Sequence, residues 1–87
     1  MNQKNKKQFN GEGKQLSSQV TRSMRKYFKE LDGEAARDVY GMVLKEIELP
    51  MLEIVMDQCN NNQTKASEVL GINRGTLRSK LKEYKLI

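Results

Sequence analysis

The apolar residues of this chain recur at the period of an α-helix. The first apolar stripe, at positions i, i+4, i+7, i+8 and i+11, consists of Val20, Met24, Tyr27, Phe28 and Leu31. Ser17 or Ser18 precedes the stripe and can cap the first free amides of a helix. Asp32 and Gly33 follow it, and glycine suits the left-handed position after a helix end. The pattern therefore predicts a first helix from residue 17 or 18 to residue 31.

A second, longer helix is predicted from about Glu34 to Cys59. Its apolar residues span a wide sector, so we expect cover on more than one side; they are Val39, Met42, Val43, Ile47, Leu49, Leu52, Ile54, Val55 and Met56. Pro50 lies in its interior, where proline removes a backbone donor and clashes with the carbonyl group four residues earlier. Because the apolar pattern resumes in phase after Pro50, we expect a kink. Two helices joined by a loop at Pro50 are the competing interpretation.

A third, short helix is predicted near the C-terminal end. The pair Asn60 and Asn61 can end the second helix, because asparagine tolerates left-handed conformations. Asn62 then caps a helix from Gln63 to Leu70, and Gly71 stops it. The residues of this helix expected to face inward are Ala66, Val69 and Leu70.

Asn73 caps a fourth predicted helix, from Arg74 to about Glu83. Its buried stripe, at i, i+4 and i+7, is expected to be Leu77, Leu81 and Tyr84. The small Ala66 lets the last two helices cross closely, and we expect Ile72 to fill the corner between them. Two short helices joined by a tight glycine turn, with a basic second helix, are typical of a helix-turn-helix.

The outward face of the fourth helix combines basic side chains with a bare glycine. Gly75 leaves the backbone uncovered near the N-terminal end, which a recognition helix pushes deepest into a DNA major groove. Arg74 is placed to reach a base edge, where a bidentate contact with guanine gives about 1–3 kcal/mol of discrimination. Arg78, Lys80 and Lys82 can reach phosphates. These features predict binding to double-stranded DNA.

Three polar residues at helix N-termini, Asn62, Thr64 and Asn73, suit phosphate oxygens as well. Capping alone would also explain both asparagines. The competing interpretation of the whole region is an ordinary helical hairpin with a solvated basic face.

The distribution of charge supports a polyanionic partner. The net charge of +5 divides into +3 for residues 1–15, −2 for residues 16–59 and +4 for residues 60–87. Residues 1–15 contain one large apolar residue, Phe9, and are interpreted as a flexible arm. A chain of 87 residues forms one domain at most and buries a small core, for which dimerisation is a common remedy.

Other functional classes lack their characteristic residues. The chain has one cysteine, Cys59, and no histidine, so we expect no internal disulfide, no metal site and no cofactor. An enzyme is not expected, because an unpartnered cysteine is a poor nucleophile and no phosphate-cradling loop is present. No apolar run reaches the ~20 residues of a membrane span, and no secretory signal is predicted.

The string NQTKASEVLGINRGTLRSKLKEY resembles the C-terminal helix-turn-helix of the Fis family, the bacterial factor for inversion stimulation. The segments YFKELDG and VYGMVLKEIELPMLEIVM, with the interior Pro50, are similar to that family's dimerisation helices in order and spacing. The resemblance covers roughly residues 20–84. GINRGTLR also occurs in the DNA-binding domains of bacterial enhancer-binding activators, but the first two helices favour Fis.

The resemblance implies an all-α homodimer with four helices per chain. Residues 1–15 would be an arm, residues 16–59 two dimerisation helices kinked at Pro50, and residues 60–87 the DNA-binding helix-turn-helix. The implied dimerisation core is Val20, Met24, Tyr27, Phe28, Val43, Ile47, Leu52 and Val55. In this family the two recognition helices lie too close for successive grooves of straight DNA, so binding bends the duplex.

The resemblance also implies roles for individual residues. Arg74 would contact guanine, with Asn73 beside it at the base edges. The implied backbone contacts are Asn62, Thr64, Thr76, Arg78, Lys80 and Lys82. Ser79 and Glu83 depart from the family, because its best-known members carry lysines there. Recombinase stimulation is not implied, since the arm does not resemble the family's β-hairpin.

The predicted function is therefore that of a homodimeric, sequence-tolerant, DNA-bending protein that organises the nucleoid and regulates transcription in the bacterial cytoplasm. Its predicted partners are double-stranded DNA and a second copy of the chain, with RNA polymerase or other DNA-bound proteins as further candidates. Two alternatives are a stand-alone module of the enhancer-binding-activator type and a helical module that binds an acidic protein.

Overall fold

The computed structural model describes the backbone of residues 11–87 and the side chains of residues 15–87. Within this range the secondary structure is α-helical, which confirms the all-α class. The four helices are α1 (Gly11–Leu31), α2 (Val39–Gln58), α3 (Gln63–Leu70) and α4 (Arg74–Glu83). The chain divides into two compact units between Arg37 and Asp38, and each is described by itself.

Helix α1 begins at Gly11, so the predicted start at Ser17 or Ser18 is wrong. Residues 11–15 of the predicted arm are helical, whereas its residues 1–10 lie outside the described part of the chain. The physical reason is that extending a helix costs far less than nucleating one. Lysine, glutamine and leucine at positions 14–16 are good helix formers, and Leu16 continues the apolar stripe four residues before Val20.

The apolar stripe of α1 is only partly covered within its own unit. The half-buried members are Val20, Met24, Tyr27 and Leu31. Phe28 is 51% exposed, and its ring packs edge-on against that of Tyr27 with centroids 5.3 Å apart. After the helix, Asp32 and Gly33 both adopt left-handed backbone conformations, with φ of 51° and 92°. This confirms the predicted end of the first helix.

Helix α2 begins at Val39 rather than at the predicted Glu34. Asp38 precedes it with a left-handed φ of 51°, a conformation that aspartate tolerates better than most residues. Its carboxylate occupies the space left open by Gly41, where a Cβ atom would lie 2.7 Å from Asp38 Oδ1. Asp38 makes no side-chain hydrogen bond to the first amides of α2, so its left-handed backbone, rather than a cap, sets the start of the helix.

Helix α2 continues through Pro50 without interruption. The competing interpretation of two helices joined by a loop at Pro50 is therefore wrong, and the kink itself stays a prediction. The helix ends at Gln58, one residue before the predicted end. Asn60 and Asn61 follow with left-handed φ values of 53° and 62°, as their residue type predicted. The Asn61 amide donates to the Met56 carbonyl at 2.8 Å and closes the end of the helix.

Three helices of the second unit share one hydrophobic core. Its buried members are Leu52, Met56, Cys59, Ala66, Leu77 and Leu81, and the half-buried residues packed against them are Val55, Leu70, Tyr84 and Leu86. The burial of Leu77 and Leu81, both 0% exposed, confirms the predicted stripe of the fourth helix. The last turns of α2 contribute directly to this core, so it spans the boundary predicted between residues 59 and 60.

Val69, which was predicted to face inward, and Ile72, which was predicted to fill the corner between the last two helices, are both exposed. Val69 is 59% exposed and Ile72 is 37% exposed. On a helix with about 100° per residue, the buried face of α3 is centred between Ala66 and Ser67, and Val69 lies about 110° away from that centre. Ser67 is buried on that face instead, and its Oγ atom donates to the Thr64 carbonyl at 2.8 Å. Because this bond satisfies the hydroxyl, serine is tolerated in the core.

Candidate nucleic-acid interface

The turn between α3 and α4 depends on Gly71. Its φ of 75° is left-handed, and a glycine adopts this conformation without a steric penalty from Cβ. Its amide donates to the Ser67 carbonyl at 2.9 Å, and the Ile72 amide donates to the same oxygen at 3.1 Å. The turn therefore satisfies the Ser67 carbonyl in the last turns of α3 and leads the chain to the start of α4.

Asparagine side chains cap both helices, as predicted. Asn62 Oδ1 accepts from the Lys65 amide at 3.0 Å. Asn73 Oδ1 accepts from the Gly75 amide at 2.7 Å and from the Thr76 amide at 3.4 Å. A Cβ atom at Gly75 would lie 3.1 Å from this capping oxygen. Glycine at this position therefore leaves room for the cap, in addition to the bare backbone predicted from the sequence.

Two arginines of α4 reach across to the first turn of α3. Arg74 Nη1 donates to Thr64 Oγ1 at 3.3 Å, and Arg78 Nη1 donates to Gln63 Oε1 at 3.3 Å. Thr64, Arg74 and Arg78 are exposed, and Gln63 is half-buried. The structure thus brings three of the predicted DNA-binding residues onto one surface. Gln63 also belongs to this surface, and the sequence prediction missed it. Its position directly after the Asn62 cap, at the start of α3, could have indicated it.

The other predicted DNA-binding residues divide into two groups. Asn62, Asn73, Thr76 and Lys82 are exposed. Lys80 is the exception, because its side chain is 30% exposed and its Nζ atom lies 3.3 Å from Glu48 Oε1 of α2. Glu83 Oε1 is 3.9 Å from Lys80 Nζ. Lys80 therefore has carboxylate partners within its own chain, unlike the arginines that reach towards α3.

Glu48 has a second partner directly after the end of α4, the hydroxyl of Tyr84, which donates to Glu48 Oε1 at 2.6 Å. This hydrogen bond, together with burial and the charges of Glu48 and Glu83, raises the pKa of Tyr84 to about 12. Since the folded pKa exceeds the unfolded value of 10, the associated stability is present below pH 10 and is lost as the pH rises towards 12. The contact joins positions far apart in the sequence, which no helical periodicity could predict.

The eight residues predicted for a dimer core are distributed over α1 and α2. Phe28 is exposed and Leu52 is only 2% exposed, because Leu52 is part of the core of its own chain. The half-buried members are Val20, Met24, Tyr27, Val43, Ile47 and Val55. Further apolar side chains on α2 are exposed, and Tyr40 and Ile54 are the most exposed of them, at 80% and 62%.

The described residues offer little for other chemistry. Cys59 is a free, buried thiol. No group of three or more potential metal ligands is found in the described part of the chain. None of the helices in that part is long and apolar enough to cross a membrane.

The fold and this surface define a helix-turn-helix protein whose recognition helix carries arginine and lysine. The family model for "Bacterial regulatory protein, Fis family" matches residues 43–84. The chain is 54% identical over 76 residues to the putative Fis-like DNA-binding protein of Pseudomonas aeruginosa, covering 87% of this chain and 73% of that relative. It is 52% identical over 71 residues to DNA-binding protein Fis of Actinobacillus succinogenes, covering 82% and 72%. The chain belongs to the Fis family, which confirms the resemblance.

Proposed function

We propose that this protein binds double-stranded DNA as a homodimer, bends it, and thereby organises the nucleoid and regulates transcription. The observation that carries the proposal is the single surface formed by the first turn of α3 and the outward face of α4. Arg74 and Arg78 lie on this surface next to two capped helix N-termini. Helix N-termini and arginines both attract phosphate oxygens, and the two relatives carry names that describe them as DNA-binding proteins.

Arg74 is the base-reading candidate within this surface. It occupies the first position of α4, the end of a recognition helix that lies deepest in the major groove. Its guanidinium group is oriented by Thr64, and a planar fork of donors suits the O6 and N7 atoms of guanine. Asn73 is proposed to lie beside it at the base edges. The proposed contacts with the DNA backbone are Asn62, Thr64, Thr76, Arg78 and Lys82.

Exposed apolar side chains on both long helices support a homodimer. Phe28 on α1 is 51% exposed, and Met51 and Ile54 on α2 are 43% and 62% exposed. Apolar side chains left exposed on each of these helices are available for contact with a partner, and a second copy of the chain is the partner proposed here. Two helix-turn-helix units would then face one duplex, and the proposed bending brings successive major grooves to them.

Nucleoid organisation and regulation of transcription are the cellular roles proposed for this activity, in the cytoplasm at the chromosome. A sequence-tolerant protein that bends DNA can act at many sites, because much of its affinity comes from phosphates and much of its preference from deformability. RNA polymerase and other DNA-bound proteins are the proposed further partners. Ser79 and Glu83 reduce the positive potential of α4 relative to lysine at these positions, so a moderate affinity is expected.

We expect the free protein to sediment as a dimer and to bind random duplex DNA with a steep dependence on salt. Arg74, Arg78 and Lys82 supply three cations per protomer, so the log–log slope should be about −5 for the dimer. A circular-permutation gel shift should show position-dependent mobility because the duplex is bent. Sedimentation as a monomer, or a straight duplex in the complex, would contradict the proposal. Millimolar affinity for DNA at low salt would instead favour an acidic protein partner.

Asn73 can be tested for its two proposed roles separately. Asn73→Ala is expected to destabilise the protein by about 1 kcal/mol, because the Gly75 and Thr76 amides lose their acceptor. Asn73→Asp keeps an acceptor at a helix N-terminus and should retain stability, but its carboxylate would repel DNA and lower the affinity. Urea unfolding and fluorescence anisotropy measure the two effects. Wild-type DNA affinity in Asn73→Asp would leave Asn73 with the capping role alone.

A further inference from the structure

One polar cluster of the second unit lies apart from the proposed DNA surface. It consists of Glu48 on α2, Lys80 in the last turn of α4 and Tyr84, which caps the C-terminal end of that helix. Glu48 Oε1 accepts from the Tyr84 hydroxyl at 2.6 Å and lies 3.3 Å from Lys80 Nζ. The Glu48 side chain is only 16% exposed. A carboxylate at this depth is tolerated because the two partners compensate its charge and its hydrogen-bonding capacity.

The geometry of the cluster constrains the recognition helix. Lys80 and Tyr84 are four residues apart, so they occupy successive turns on one side of α4. One carboxylate on α2 therefore holds two turns of α4 at once. The apolar contacts of Leu77 and Leu81 keep α4 close to the core, but hydrophobic contacts are not directional. A short hydrogen bond to a carboxylate is both strong and directional, so Glu48 restricts the rotation and tilt that apolar packing leaves free.

The same cluster reduces the positive charge that Lys80 offers to DNA. Its ammonium group lies within 4 Å of two carboxylates, those of Glu48 and Glu83. An ion pair that is partly withdrawn from water is screened less by salt than an exposed one. The ammonium group of Lys80 is therefore paired with carboxylates of its own chain, whereas Arg74 and Arg78 are exposed on the outward surface.

We propose that Glu48 is a positioning residue for DNA recognition: it fixes the orientation of α4 through Tyr84 and keeps the charge of Lys80 from DNA phosphates. This inference rests on the proposed function. Its consequence is selectivity, because correct orientation favours base contacts at preferred sites. An unpaired Lys80 would instead add affinity for any duplex, which the salt dependence of binding detects. The quantity that Glu48 controls is the ratio of affinities for preferred and random DNA.

Four single variants separate orientation from charge. Glu48→Ala removes both interactions, whereas Glu48→Gln keeps an acceptor for the Tyr84 hydroxyl and removes the charge. Tyr84→Phe removes the tyrosine hydrogen bond and leaves the Glu48–Lys80 pair. Glu83→Gln is the matched control, because it also neutralises a carboxylate beside Lys80 and no hydrogen bond joins Glu83 to Tyr84. Each variant is titrated with a selected site and with random duplex of equal length at several salt concentrations.

In Glu48→Ala the preferred-to-random ratio is expected to fall by about three- to tenfold, the effect of losing one hydrogen bond of ordinary net strength. Random-duplex affinity should rise, and the salt slope should steepen by about 2 per dimer as two lysines are released. Tyr84→Phe should lower the ratio with an unchanged slope. Glu48→Gln and Glu83→Gln should both keep the wild-type ratio of affinities for preferred and random DNA. A change by one common factor on both DNAs in Glu48→Ala and Tyr84→Phe would overturn the inference.

The free protein provides a readout that does not depend on DNA. The tyrosinate absorbance of the wild type should include a step at about pH 12 from Tyr84, and this step should be absent in Tyr84→Phe. In Glu48→Ala it should move to lower pH, because the strongest cause of the raised pKa is the hydrogen bond to Glu48. If the titration step of Tyr84 lies at the same pH in Glu48→Ala as in the wild type, the hydrogen bond between Tyr84 and Glu48 is contradicted. If the wild-type protein does not bind DNA, the proposed function is refuted. If it binds DNA but the ratio of affinities for preferred and random DNA is the same in the wild type and the variants, this inference alone is refuted.

Discussion

Replacing Arg74 with alanine is expected to weaken binding to preferred DNA sites by about ten- to a hundredfold. Binding to random duplex is expected to weaken much less, by the loss of one cation per protomer. The reason is the position of Arg74 at the first residue of α4, exposed and oriented by Thr64 at 3.3 Å. From this position a bidentate contact can distinguish guanine from other bases, whereas a phosphate contact cannot. Anisotropy titrations with a selected site and a shuffled duplex measure the two losses.

Arg78→Ala is the matched control, because it removes the same charge one turn further along α4. Arg78 is proposed to contact phosphate, so its loss should weaken both duplexes by a similar factor and make the salt slope shallower by about 2 per dimer. Both arginines are exposed, so thermal stability should change little in either variant. Equal losses on the two duplexes in Arg74→Ala would remove the base-reading role, and an unchanged affinity would remove Arg74 from the interface.

The C-terminal helices could be predicted closely because their signals are local. Asn62 and Asn73 cap α3 and α4 with their own side chains, and Gly71 adopts the left-handed conformation that its residue type permits. Each signal lies within a few residues of the boundary it sets. Leu77 and Leu81 also follow directly from helical periodicity, because a short amphipathic helix has one face that can be buried. The predicted bounds of both helices agree with the structure.

The start of α2 and the inner face of α3 could not be predicted from periodicity alone. The start of α2 depends on the left-handed backbone of Asp38 and on the space above Gly41. In α3 the apolar Val69 is exposed and the polar Ser67 is buried, because the arrangement of α2 and α4 decides which face is covered. Hydrophobicity ranked these two residues in the wrong order.

The contacts of Lys80 were equally beyond prediction. A helical wheel places Lys80 on a flank of α4, but the wheel carries no information on what lies opposite that flank. The structure places Glu48 there, 32 residues earlier in the sequence. The missed Gln63 differs, because its contact with Arg78 joins two neighbouring helices whose order was already predicted. Long-range polar contacts are thus the part of the site that depends most on tertiary packing.

Leu77→Ala is expected to destabilise the protein by about 2–5 kcal/mol, the cost of removing a fully buried leucine and leaving a cavity. Leu77 is 0% exposed in a core with few other members, so neighbouring side chains have little freedom to fill the space. Val69→Ala is the control, because Val69 is 59% exposed on α3. Its effect should stay within about 0.5 kcal/mol. Urea unfolding followed by circular dichroism measures both, at one fixed concentration because dimerisation would stabilise the folded state.

The DNA affinity of Leu77→Ala connects this core to the proposed function. Leu77 lies on the buried side of α4, whereas Arg74 and Arg78 lie on the exposed side. Any loss of DNA affinity in the variant must therefore come from the scaffold. If the helix-turn-helix folds as one unit with the end of α2, the loss of affinity should follow the unfolded fraction across urea concentrations. A large affinity loss in fully folded Leu77→Ala would contradict folding as one unit, and equal destabilisation by Val69→Ala would contradict the core described here.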